Sequence, residues 1–87
     1  MNKPQLKEIY YELVRRIKEQ GQSTPKRHGE YVSLHVFDNY SLQLDTWSKS
    51  ICVYESGKHK DSLGIDFGGF SCNITMVKFW LAHIPNI

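Results

Sequence analysis

Residues Arg27–Trp47 read RHGEYVSLHVFDNYSLQLDTW, and the way this stretch alternates decides the fold. Val32, Leu34 and Val36 recur at every second position, and so do Leu42 and Leu44. That is the period of a strand with one buried face. Asp38-Asn39 between the two runs marks a hairpin turn. A two-residue Asp38-Asn39 turn sets Val36 against Ser41 and Leu34 against Gln43, mixing aliphatic and polar residues on one face. Register is normally set against such a mixture. A three-residue loop, Asp38-Asn39-Tyr40, pairs Val36 with Leu42 and Leu34 with Leu44, and is expected.

Working outward, period 2 continues in four runs, at about 31–37, 41–47, 50–56 and 62–67. The later aliphatic sets are Ile51 and Val53, then Leu63, Ile65 and Phe67. Short connections between the runs imply an antiparallel meander. Upstream, Leu6, Ile9, Tyr10, Leu13, Val14 and Ile17 form one stripe at helical spacing. Pro4 suits the first turn and Gly21 a left-handed residue at the end. Residues 21–30, GQSTPKRHGE, read as a polar loop. Downstream, Asn73 is a candidate N-cap, and Val77, Trp80, Leu81 and Ile84 keep helical spacing up to Pro85. The β-branched and aromatic content of this last segment also suits a strand; helix is the expectation for 74–84. The fold class is therefore α+β: an N-terminal helix packed on a four-stranded antiparallel meander, then a short apolar helix, in one domain spanning 1–87.

Eighty-seven residues support one modest core, since a chain this short buries only roughly 60–65% of its unfolded surface. Five Tyr, four Phe and two Trp form a large aromatic share. A net charge of +2 permits nucleic-acid binding without arguing for it. Cys52 and Cys72 lack CxxC spacing and are expected to be reduced, as in a cytoplasmic protein. The start, MNKPQLKEIYYELVRRIK, shows no signal-peptide pattern and nothing reaches membrane-spanning length, so a soluble intracellular protein with no membrane partner is expected.

The second face of the sheet carries the leading functional expectation. With the three-residue loop it pairs Tyr31 with Trp47, Ser33 with Asp45, His35 with Gln43 and Phe37 with Ser41, and adds Ser50, Cys52, Tyr54 and Asp66. Large aromatics among small polar groups resemble an interface centre. Tyr31, His35, Phe37, Trp47 and Tyr54 are thus expected to bind another protein, making this a small non-enzymatic regulator or inhibitor. The plain alternative is a cross-strand aromatic pair that only stabilises the hairpin, or a face covered by the last helix. Met76, Phe79 and Trp80 are candidates for a homodimer contact, with Val77, Trp80, Leu81 and Ile84 assigned chiefly to the core.

A second function is nucleic-acid binding through Arg15, Arg16, Lys18, Lys26 and Arg27 (with His28), joined by Lys58 and Lys60 (with His59) at the tip of the third hairpin. A third is a small ribonuclease using His35 or His28. In element order alone the chain is similar to double-stranded-RNA-binding domains and to small toxin ribonucleases. That RNA-binding family opens its second helix with a run of lysines, where NITMVKFW offers Lys78. The toxins set a strand histidine beside Gly-Ser, which SLHVF does not. No cofactor is implied. His28, His35, His59 and His83 lack metal-ligand spacing, and no nucleophile elbow, phosphate loop or HExxH is present. GIDFGGF reads as a bend or strand ending.

Overall fold

The structure is a computed structural model that describes residues 3–64 and 74–86, with the backbone alone for Lys3, Pro4 and Ile74. Helix α1 spans Lys3–Gln20, followed by strands β1 (Gln22–Pro25), β2 (Glu30–Phe37), β3 (Tyr40–Asp45), β4 (Ser50–Glu55) and β5 (Lys58–Gly64), then helix α2 (Ile74–Ala82). The strands form one antiparallel sheet in sequence order, β1 to β5. This is the expected α+β architecture with five strands where four were read. Asn73, Ile65, Asp66, Phe67, the Gly68-Gly69 pair and Cys72 lie outside the described residues.

The extra strand is β1. Its residues, QSTP, are all exposed, and Gln22↔Ser33 and Thr24↔Tyr31 are among its pairings. It has no apolar alternation because neither face is buried, and Pro25 is tolerated at an edge. The chain enters it directly from α1 through Gly21. Gly21 is required for close approach: a Cβ there would lie 2.7 Å from the Ser33 carbonyl and 2.8 Å from that of Ile17. Left-handed backbone is not its role, since the glycines with positive φ are Gly29 and Gly57 among the described residues.

The first hairpin corrects the expected loop. Phe37 pairs with Tyr40 around a two-residue Asp38-Asn39 turn, with Asp38 at φ 47°. The register then shifts, and His35 pairs with Ser41, Leu34 with Leu42 and Val32 with Leu44. Val36 is the additional residue, a β-bulge. The bulge removes the conflict that made a two-residue turn unattractive, because parity is restored by one unpaired residue. It also returns Phe37 to the same face as Leu34. At the other end, Ser56 and Gly57 (φ 53° and 81°) make a two-residue turn of the primed type. A second bulge beside Tyr54 leaves Lys60 unpaired. Lys58–Lys60 therefore form the first residues of β5, at the end of the hairpin that carries the Ser56-Gly57 turn.

Both helices cover one face. The buried set is Tyr10, Leu13 and Ile17 from α1, Val32, Leu42, Leu44, Ile51, Val53 and Leu63 from the sheet, and Val77, Trp80 and Ile84 at the C-terminal end. At about 25 cal/mol per Å² of apolar surface removed from water, these side chains dominate stability. Arg16 then ties the two helices together. Its Nη1 donates to the carbonyls of Leu81 (3.2 Å), in the last turn of α2, and Ile84 (2.9 Å), just past its end, and its Nε to Glu12 (3.0 Å). Gln20 donates to the Pro85 carbonyl nearby. No helix among the described residues is long and apolar enough to cross a membrane.

Candidate functional site

With α1 and α2 on one side, the other face of the sheet is the place to look for the site. Its side chains run in rows across the strands. One row is Thr24, Tyr31, Asp45 and Ser50; the next is Gln22, Ser33, Gln43, Cys52 and Ser62; the third is His35, Ser41, Tyr54 and His59. Among the described residues, the central positions carry no Asp, Glu, Lys or Arg. Ser33 and His35 are exposed; Tyr31, Ser41, Gln43, Cys52, Tyr54 and Ser62 are half-buried among one another. Tyr54 donates to the Gln43 amide oxygen (3.4 Å) and meets His59 edge-on, and burial raises its phenol pKa. His59 Nε2 and Ser62 Oγ are 2.9 Å apart, and Ser62 lies 4.0 Å from the Cys52 thiol.

Charge sits at the border. Lys26 Nζ bonds Asp45 Oδ2 at 2.9 Å and stands 4.5 Å from the Tyr31 ring centre, a cation–π contact. Burial pushes the Asp45 carboxyl up, but Lys26 and the N–H groups of Ser48 and Trp47 outweigh it and hold its pKa below the usual value. Asp45 thereby caps the Thr46–Lys49 loop and anchors this rim.

Of the five residues expected to bind protein, Tyr31, His35 and Tyr54 share this open face. Phe37 does not. The bulge turns it under α2, with ring centres 4.4 Å from His83, 5.1 Å from Tyr40, 5.8 Å from Trp80 and 6.3 Å from Phe79. Trp47 is not paired with Tyr31, which faces Asp45. It lies in the β3–β4 loop, 64% exposed, stacked on His28 at 5.7 Å beside Gly29. Trp47 thus flanks the face at one end. Reading the sequence misses Ser62 and assigns His59 only to the basic cluster; the β5 bulge brings the two together on this face, which three-residue spacing in a strand does not announce.

The basic residues do not form one free patch. Arg15 binds Glu12 through two nitrogens, Glu19 at 2.8 Å and Asn86 at 2.8 Å. Arg16 is committed to the ends of the helices, Lys26 to Asp45 and Lys60 to Glu55 (3.1 Å). Lys18, Arg27 and Lys58 make no ion pair among the described residues. His35 makes no side-chain hydrogen bond among them either, and among the described residues no group of three His, Cys, Asp or Glu is placed to hold a metal. In the C-terminal segment, Phe79 is 46% exposed, whereas Trp80 at 4% belongs to the interior and cannot present a dimer contact.

No family model, curated protein or solved structure matches the chain.

Proposed function

We propose that the protein acts by binding another protein through the open face of its sheet, as a small regulator or inhibitor without chemistry of its own. The observation that carries this reading is the distribution of charge on that face. Tyr31, Tyr54 and His35 stand in a field of serines, Gln43 and Cys52 with no Asp, Glu, Lys or Arg in the centre among the described residues, and the Lys26–Asp45 pair lies at the border. Depletion of charge at the core, aromatic enrichment and a polar rim are what separate an interface from ordinary surface. Strands about 4.8 Å apart and roughly six residues long give a face of about 20 by 20 Å. That is small beside the roughly 800 Å² per partner of a stable interface. The Trp47–His28 stack at its end is the natural extension.

Nucleic-acid binding ranks second because four of the seven basic residues named for it, Arg15, Arg16, Lys26 and Lys60, are engaged within the fold and do not offer one free patch to phosphates. A histidine-dependent ribonuclease ranks third, since the His35 side chain has no hydrogen-bonded partner to orient it among the described residues. The test is capture from native-host extract by the wild type and by a Tyr31→Ala/Tyr54→Ala variant, with and without nuclease. A protein retained by the wild type after nuclease and lost by the variant supports the proposal. Recovery of nucleic acid alone, or equal capture by both chains, rejects it.

A further inference from the structure

On the helix side, away from the open face, α1 and the β3–β4 loop enclose a groove of about 230 Å³. Its base is apolar: Tyr10 and Leu44, both buried, and Val14. Tyr11, 47% exposed, forms one wall and meets the Tyr10 ring edge-on at 5.9 Å. Lys18 and Lys49, both exposed, also line it, and no carboxylate does. Neither lysine makes an ion pair among the described residues, whereas Lys26 and Lys60 do. The remaining lining residue, Thr46, has its hydroxyl engaged with the Glu30 backbone at 2.9 and 3.2 Å, so the lysines supply the charge.

The loop is fastened in place. The Tyr10 hydroxyl donates to the Lys49 carbonyl, and the Lys49 N–H donates to the Asp45 carbonyl at 2.8 Å. Lys49 is held at φ 58°, a conformation that a non-glycine residue adopts only when its surroundings fix it. A preformed apolar cleft with two unpaired cations in its lining selects a ligand with an apolar body and a negative head. We infer that this groove binds a small organic carboxylate with an aromatic or short branched apolar body. The volume lies below the about 300–1,000 Å³ of drug-sized sites, which limits the ligand to a single ring or its equivalent. The apolar body lies against Tyr10, Tyr11, Val14 and Leu44 while Lys18 and Lys49 hold the carboxylate.

The experiment is an amide chemical-shift titration of the full chain with phenylacetate, phenylacetamide and phenethylamine, which share a ring and differ in charge. Phenylacetate is expected to give saturable shifts confined to the region of Tyr11, Thr46 and Lys49, with a Kd on the order of 1 mM for so small a ligand. The neutral amide is expected to bind at least about tenfold more weakly, and the amine not at all. A Lys18→Gln/Lys49→Asn variant is expected to weaken phenylacetate by about tenfold or more with an unchanged amide spectrum elsewhere, since asparagine tolerates positive φ. Lys18→Gln alone, on the exposed helix surface, carries the same expectation to a smaller degree if the double variant loses its native spectrum. No localised shift with phenylacetate, equal binding of all three compounds, or binding indifferent to Lys18 would overturn the inference.

Discussion

Replacing Phe37 by alanine separates the observed fold from a regular hairpin most sharply. In a regular ladder Phe37 would stand on the open face, where truncation of a surface residue changes stability by about 0.5 kcal/mol or less. In the structure its ring contacts Tyr40, Trp80, Phe79 and His83, all with centroids within 6.3 Å. A fully buried Phe→Ala change costs about 3–5 kcal/mol. Phe37 is half-buried, which scales this to about 2–3 kcal/mol, with part of the loss coming from the aromatic contacts. For a domain of this size each kcal/mol moves Tm by about 4–8 °C, so a fall of about 8–24 °C is expected. Urea unfolding followed by tryptophan fluorescence measures it, with His35→Ala as the control. That control is expected to stay within about 0.5 kcal/mol of wild type, because His35 is exposed. A Phe37→Ala protein as stable as wild type, or a His35→Ala protein equally destabilised, would refute the bulged register.

Further predictions concern other parts of the frame. Arg16→Ala removes the side-chain donor to the Ile84 carbonyl and one of the two donors to the Leu81 carbonyl, which keeps the Ile84 N–H; it is expected to cost about 1–3 kcal/mol and to speed amide hydrogen exchange in α2 more than in the sheet. The Glu12 carboxyl is held at about 2, below the usual 4.5, by hydrogen bonds from Arg15 and then Arg16. Since the folded pKa is the lower one, its contribution is complete above about pH 5 and is lost as pH falls towards 2. Asp45 and Glu55 are shifted in the same direction, so Tm is expected to be flat from neutral pH to about 5 and to fall below it, with a smaller fall in Glu12→Gln. Both Gly29 and Gly57 have positive φ, but a Cβ at Gly29 would lie 2.7 Å from Thr46 Oγ1, while nothing lies near one at Gly57. Gly29→Ala is therefore expected to lower Tm more than Gly57→Ala, which costs about 1–2 kcal/mol through backbone strain alone.

The parts legible in the sequence are those where one periodicity acts unopposed. In α1 the stripe from Leu6 to Ile17 gives both the element and its buried face, and the helix-side residues of the sheet, Val32, Leu34, Leu42, Leu44, Ile51 and Val53, follow from alternation. Strand β1 was hidden because QSTP forms backbone pairs at an edge where no side chain is buried. The bulge at Val36 was hidden for a different reason. Parity arguments assume an unbroken ladder, and one unpaired residue makes a two-residue turn compatible with the aliphatic pattern. That single error in register also carried Phe37 and Trp47 to the wrong places. Tyr31, His35 and Tyr54 were identified together because the open face keeps its alternation on both sides of the bulges. The roles of Arg15 and Arg16 were not readable: a basic pair at a helix end looks the same whether it faces solvent or reaches carbonyls some seventy residues away in the chain.

Site-specific photo-crosslinking tests the proposed use of the open face most directly. A benzophenone side chain placed at Ser33, exposed in the middle of that face, is compared with one at Glu8, exposed on α1, in native-host extract treated with nuclease. A discrete protein adduct from position 33 and none from position 8 is the expected result. Adducts from the helix position alone, or the same adducts from both, would contradict it.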